Sequence, residues 1–159
     1  VVDDKSFRDV LGRWVTGVAV ITTVWKDQVH GMTANAVMSV SLKPPLILIS
    51  IDEKASMLAK VRAANNFAVS ILSSEQKALS QHFAGQRQSK ETVDFDWFMG
   101  WPVIKNALAY IACKVHDARQ AGDHVLFLGE VEHLWARPGR PLIFYQGRYH
   151  ALQDMEDKK

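Results

Sequence analysis

Residues Val15–Ala34 read VTGVAVITTVWKDQVHGMTA, and the fold class turns on this stretch. From Val15 to Trp25 the run is rich in Val, Ile and Thr. Such β-branched side chains are stiff in a helix and pack well on a pleated sheet. The polar break at Lys26, Asp27 and Gln28 then gives way to VHGMTA. The pattern predicts two antiparallel strands joined by a tight turn.

Working outward, the segment PPLILISI predicts a third strand that begins at or after Pro44 and Pro45, because proline cannot donate to a ladder. FAVSILS predicts another, and ALAYIACKVHDARQ, VLFLGEVEHLWA and LIFYQGRYHAL predict three more, separated by the turns AGD and RPGRP. Three short helices are expected between them. Ser6 offers an N-cap for a helix carrying Phe7, Val10, Leu11 and Trp14 at helical spacing. Lys54 to Asn66 holds good helix formers and ends on an Asn pair, while SEQKALSQHFAG has Ser74 as a cap and Gly85 as a stop. Residues Gln86 to Pro102 mix charge and aromatics without period, which predicts an unstructured lid or specificity loop. Strands dominate, so the expected fold is mainly β with short helices, an antiparallel β-barrel built as one domain over residues 1–159 with its core at about 7–152.

Composition narrows the function. The 159 residues are 48% hydrophobic and 23% charged, enough apolar side chain for one core. Nineteen basic residues against seventeen acidic leave +2, scattered along the chain, which speaks against nucleic-acid binding. One cysteine, Cys113, excludes an internal disulfide; with no signal peptide and no apolar run of spanning length, a cytoplasmic protein without membrane association is expected. Ile111 and Val115 share the strand face of Cys113, which predicts a buried, inert thiol. None of the nine glycines forms the G-x-G-x-x-G of a dinucleotide-binding Rossmann unit, and the six histidines lack metal-ligand spacing, so no metal is expected.

Three polar segments carry candidate chemistry. In GMTANAVMSVSLKPPL, from Gly31, the residues Thr33, Asn35, Ser39 and Ser41 put small polar groups where a strand would carry Val or Leu. They are either bulge and turn residues that satisfy their own backbone, or a cradle that lets a planar ring approach closely. In SIDEKAS, Ser50, Lys54 and Ser56 surround a helix start, which suits either a cap or a phosphate. In AGDHVLFLGEV, Gly122 and Asp123 form a turn that leaves His124 at the start of a strand, and Tyr145 and Tyr149 flank a second turn at Gly147.

Taken in order, GMTANAVMSVSLKPPL, LISIDEKAS, HFAG, GDHVLFLGEV and LIFYQGRYH resemble the flavin reductase family, the reductase components of two-component flavin-dependent monooxygenases, from about Phe7 to Leu152. The resemblance implies an FMN-binding split barrel, usually a homodimer, in which NADH or NADPH reduces FMN or FAD for a partner oxygenase. It implies Thr33, Asn35 and Ala36 along the isoalloxazine, with Ser39 and Ser41 nearby, and Ser50, Lys54 and Ser56 toward the phosphate. Where many relatives carry an arginine, DEKAS offers Lys54, a point charge instead of a planar fork. His82, Phe83, Ala84 and Gly85, with Arg87, would close the flavin site. His124 would meet the nicotinamide as the catalytic residue, aided by Tyr145 and Tyr149. Two other readings remain: a non-catalytic flavin carrier on the same barrel, and a barrel for another ligand such as haem.

Overall fold

In a computed structural model, which describes residues 1–86 and 93–155, the run from Val15 divides into β1 (Thr16–Gly17) and β2 (Ala19–Trp25). Lys26 and Asp27 turn the chain into β3 (Gln28–Ala34) with φ of 52° and 58°. Two consecutive left-handed residues make the hairpin turn whose twist matches that of paired strands. β4 (Val37–Leu42) and β5 (Pro45–Asp52) follow, then α2 (Ser56–Ala64), with α1 (Asp4–Leu11) ahead of them all. The rest comprises β6 (Asn66–Ile71), α3 (Lys77–Phe83), β7 (Phe95–Phe98), β8 (Trp101–Ile104), β9 (Ala109–Ala121), β10 (His124–Ala136), β11 (Leu142–Tyr145) and β12 (Arg148–Ala151).

Seven strands pair antiparallel in the order β3-β2-β6-β9-β10-β5-β4, beside the smaller sheets β1-β11-β12 and β7-β8. β2 and β6 are covered on both faces, which is why their sequences are apolar without alternation. Ile21, Val69, Ile49, Phe67 and Phe127 pack under α2 with Met57 and Val61 on one side. Val20, Ala68, Leu72, Val103, Ile104 and Leu142 form a second core on the other. Gly129 lies against Phe67, where a methyl group would stand 2.5 Å from the ring, so the glycine makes room for the largest side chain of the first core. Cys113 is fully buried in that core, and burial pushes its thiol up to about 12.

Several local expectations are corrected. The cap of α1 is Asp3, whose carboxylate accepts from the Ser6 amide at 2.9 Å and from the Ser6 hydroxyl at 2.7 Å. Ser6 is thus the donor to the cap. The turn before α3 is capped by Ser73 through a reciprocal pair with Gln76, one residue ahead of the expected Ser74. Of the expected unstructured loop from Gln86 to Pro102, residues 87–92 lie outside the described residues, and residues 95–102 belong to the β7–β8 hairpin, which runs to Ile104 and is turned by Met99 and Gly100 at φ of 51° and 93°. Methionine is an unusual turn residue, and the signal was lost with it. LIFYQGRYHAL is a hairpin, not one strand, because Gln146 and Gly147 adopt φ of 46° and 74° between β11 and β12. β4 was not expected at all.

Candidate functional site

The polar stretch from Gly31 serves both structure and site. Gly31 faces the Phe83 ring at the end of α3, and a Cβ there would lie 2.6 Å from Cε1. Two residues on, the Thr33 hydroxyl donates to the Ser80 carbonyl of α3 at 2.6 Å. Ser80 is fully buried, and its own hydroxyl is 2.8 Å from that of Tyr149 on β12. Gly31, Thr33, Ser80 and Tyr149 therefore clamp α3 between β3 and the small sheet.

After Ala34 the chain leaves β3, and Asn35 and Ala36 bridge to β4 as exposed residues with no strand pairing of their own. The Ser50 amide of β5 donates to the Ala36 carbonyl at 3.3 Å, so this break is held against the middle of the LISIDEKAS strand. Asn35 and Ala36 also line a cavity of about 760 Å³ whose other walls come from α1, β1 and the β11–β12 turn. That volume lies within the range of small-molecule sites. Apolar groups such as Phe7, Trp14, Val18 and Phe144 form most of its wall. Among its polar groups is Thr16, whose hydroxyl oxygen is buried with no hydrogen-bond partner among the described residues. An apolar slot edged by the exposed Asn35 amide suits a flat heterocycle with a polar rim. Ser39 and Ser41 flank the bulge of β4, and the Ser41 hydroxyl accepts from the Lys43 amide at 3.3 Å, a local backbone role.

A second polar group gathers at the end of β5 and the start of β10. In register, Ser50 lies opposite Leu126 and Asp52 opposite His124, so His124 is two positions along the ladder from the residue that holds Ala36. The Asp52 carboxylate is occupied by the Lys54 amide at 2.8 Å. The Glu53 amide donates to the Asp123 carbonyl at 3.0 Å, and Gln120 Nε2 donates to the Gly122 carbonyl at 2.8 Å, which fixes the turn to the end of β5. His124 Nδ1 stands 2.7 Å from Asp123 Oδ1. The hydrogen bond from His124, with the charges of His124 and Lys54, holds the Asp123 carboxyl below its ordinary range. Lys54 and Ser56 are exposed beside this cluster, and Ser56 begins α2 without capping it, since the cap is Ala55 with no side-chain bond.

The remaining candidates lie elsewhere. His82 and Phe83 end α3, where their rings meet edge-on at 4.9 Å, and Phe83 packs on Phe95. Ala84 caps the helix and Gly85 leaves it at φ of 71°. Arg87 falls outside the described residues. Tyr145 meets His150 edge-on at 5.9 Å on the small sheet. Sequence reasoning grouped Tyr149 with His124; in the structure its hydroxyl lies 2.8 Å from that of Ser80. It missed Thr16, and Gln146 and Arg8 at the cavity wall, none of which stands in a motif.

The chain matches the model of the flavin reductase like domain over residues 11–153. It is 45% identical over 149 residues to the NADH-dependent flavin reductase of a Rhodococcus species, covering 92% of this chain and 85% of that protein. To the flavin-dependent monooxygenase reductase subunit HsaB of Mycobacterium tuberculosis it is 35% identical over 158 residues, covering 96% of this chain and 84% of the relative. The solved structure of flavin reductase PheA2 in its native state superposes with a TM-score of 0.94 at 52% identity, covering 96% of this chain and all of the other.

Proposed function

The chain belongs to the flavin reductase family, with the split-barrel fold of its solved members, and is an NAD(P)H-dependent flavin reductase; we propose that it forms its flavin site around Asn35, Ala36 and Ser50, with His124 at the nicotinamide. The observation that carries this reading is that β5 connects the two: Ser50 holds the Asn35–Ala36 break on the β4 side of the strand, and Asp52, two residues on, pairs with His124 on its β10 side. Bound flavin would supply the redox chemistry, taking a hydride and with it two electrons from the nicotinamide, which would leave the donor oxidised. The chain's part is to stack and orient two rings. The amides around Asn35 and Ala36 meet the polar edge of the flavin. Lys54 and Ser56, exposed next to the ladder end, are the groups for a phosphate.

The reduced flavin then passes to a partner monooxygenase, a reading supported by the HsaB relative, whose name makes it the reductase subunit of a flavin-dependent monooxygenase. The working unit is a homodimer. Support comes from α1, which buries none of its residues although Phe7, Val10 and Leu11 are apolar, and from Met38, Val40 and Leu42 of β4, also exposed in the single chain.

NADH and NADPH oxidation measured with added FMN, FAD and riboflavin tests the reading. Flavin-dependent turnover is expected, and Asn35→Ala should weaken flavin binding by about 1–3 kcal/mol through an unpaired polar group. Flavin binding without any turnover would establish a carrier and overturn the enzyme reading. A monomeric mass by light scattering at micromolar concentration would remove the dimer.

A further inference from the structure

We propose that Asp123 is a positioning residue that holds the His124 ring with its proton on Nδ1 and presents Nε2 to the nicotinamide carboxamide; this rests on the reading that His124 meets the nicotinamide. Two carboxylates are candidates to orient this ring. Asp52 lies directly opposite in the ladder, but its Oδ1 already accepts from the Lys54 amide. Asp123 Oδ1 is 2.7 Å from His124 Nδ1. A carboxylate can only accept, so in neutral histidine that contact places the proton on Nδ1 and the lone pair on Nε2. Nε2 is then an acceptor for a carboxamide N–H.

The acid is itself held in place. Its carbonyl accepts from Glu53, and the carbonyl of Gly122 before it accepts from Gln120. Gly122 carries the φ of 62° that the turn needs. The Asp123 backbone is thereby tied to the end of β5, the strand whose Ser50 supports Ala36. Ring position and ring tautomer are fixed relative to the proposed flavin site by one turn. The charge of Lys54 also acts on the Asp123 carboxylate and favours its ionised, accepting form.

The test is made on the full chain with Asp123→Ala, Asp123→Asn, His124→Ala and the double variant Asp123→Ala/His124→Ala. Long-range ¹H–¹⁵N spectra of ¹⁵N-histidine-labelled protein, taken above about pH 8 where an ordinary histidine is neutral, report the tautomer. The native chain should show the Nδ1–H form of His124, and Asp123→Ala should lose it. Its kcat/KM for NADH should fall about tenfold, with flavin affinity unchanged, and Asp123→Asn, which keeps an acceptor, should fall less. The double variant should be no worse than His124→Ala alone. An unchanged tautomer in Asp123→Ala, unchanged NADH kinetics, or an Asp123→Ala loss that persists in the His124→Ala background would each overturn the proposal. If His124→Ala itself leaves NADH kinetics intact, the nicotinamide reading of His124 fails first, and the tautomer spectra tell that failure apart from a missing Asp123 contact. Asp123 is exposed, so the melting temperature of its variants serves as a fold control and should stay at the native value.

Discussion

Tyr149→Phe separates a clamp from a nicotinamide contact. In the native chain the tyrosine hydroxyl is 2.8 Å from Ser80 Oγ, and Ser80 has no exposed surface. Removing the phenol oxygen strands a buried hydroxyl, at a cost of about 1–3 kcal/mol. The rest of the ring's contacts, edge-on to Phe144 at 5.5 Å and beneath Lys77 at 5.6 Å, survive in phenylalanine. For a chain of this size each kcal/mol moves the melting temperature by about 2–4 °C, so a fall of about 2–12 °C is expected. Ser80→Ala removes the other partner. Because Tyr149 is half-buried, water can reach its hydroxyl, and that variant should lose less. With both changed, no buried group is left unpaired, and the double variant should be more stable than Tyr149→Phe alone. Thermal melts of the three variants beside NADH kinetics form the assay. The kinetics should stay within twofold of native. A tenfold loss of kcat/KM for NADH with an unchanged melting temperature would refute the clamp and return Tyr149 to the nicotinamide.

Gly31→Ala should cost about 1–3 kcal/mol, because its methyl group would sit 2.6–2.8 Å from two ring carbons of Phe83. Phe83→Leu should recover part of that loss in urea melts, and strictly additive losses would show that the ring is not the obstacle. Cys113 should resist thiol reagents at pH 8 until the chain unfolds, since it is buried and its thiol is pushed up to about 12; labelling faster than unfolding would contradict this. The same shift has a sign. Between the ordinary thiol value of 9.0 and about 12, the unfolded chain gives up a proton that the folded chain keeps, so this group lowers stability as pH rises through that window and contributes nothing below it.

What the sequence made legible depends on whether the responsible partner lies nearby in the chain. The β2–β3 hairpin could be read because its β-branched residues and its turn are contiguous. GDH could be read as a turn before a strand, with Asp123 beside His124. The clamp role of Thr33 could not, because it is defined by Ser80, forty-seven residues away. Thr16 gave no signal for the same reason: its cavity is assembled from α1, the Asn35–Met38 stretch and the β11–β12 turn.

β4 is the more instructive miss. Its sequence VMSVSL has Met38, Val40 and Leu42 on positions that end up exposed, and Ser39 and Ser41 between them. An ordinary edge strand turns its polar residues to solvent, and edges are usually blunted by charge or proline. Here three of the four exposed positions carry apolar side chains, with Ser39 the fourth. α1 has the same inversion, with a clear apolar stripe and no buried residue. An apolar pattern on two separate elements, each correct in period and each lacking a cover within its own chain, is what a surface built for another polypeptide looks like. The proposed second copy accounts for the exposed apolar side chains of both elements at once. It also places α1, a wall of the cavity that holds Asn35 and Ala36, next to the interface, so a charge introduced at Val40 should cost the dimer first and flavin affinity with it.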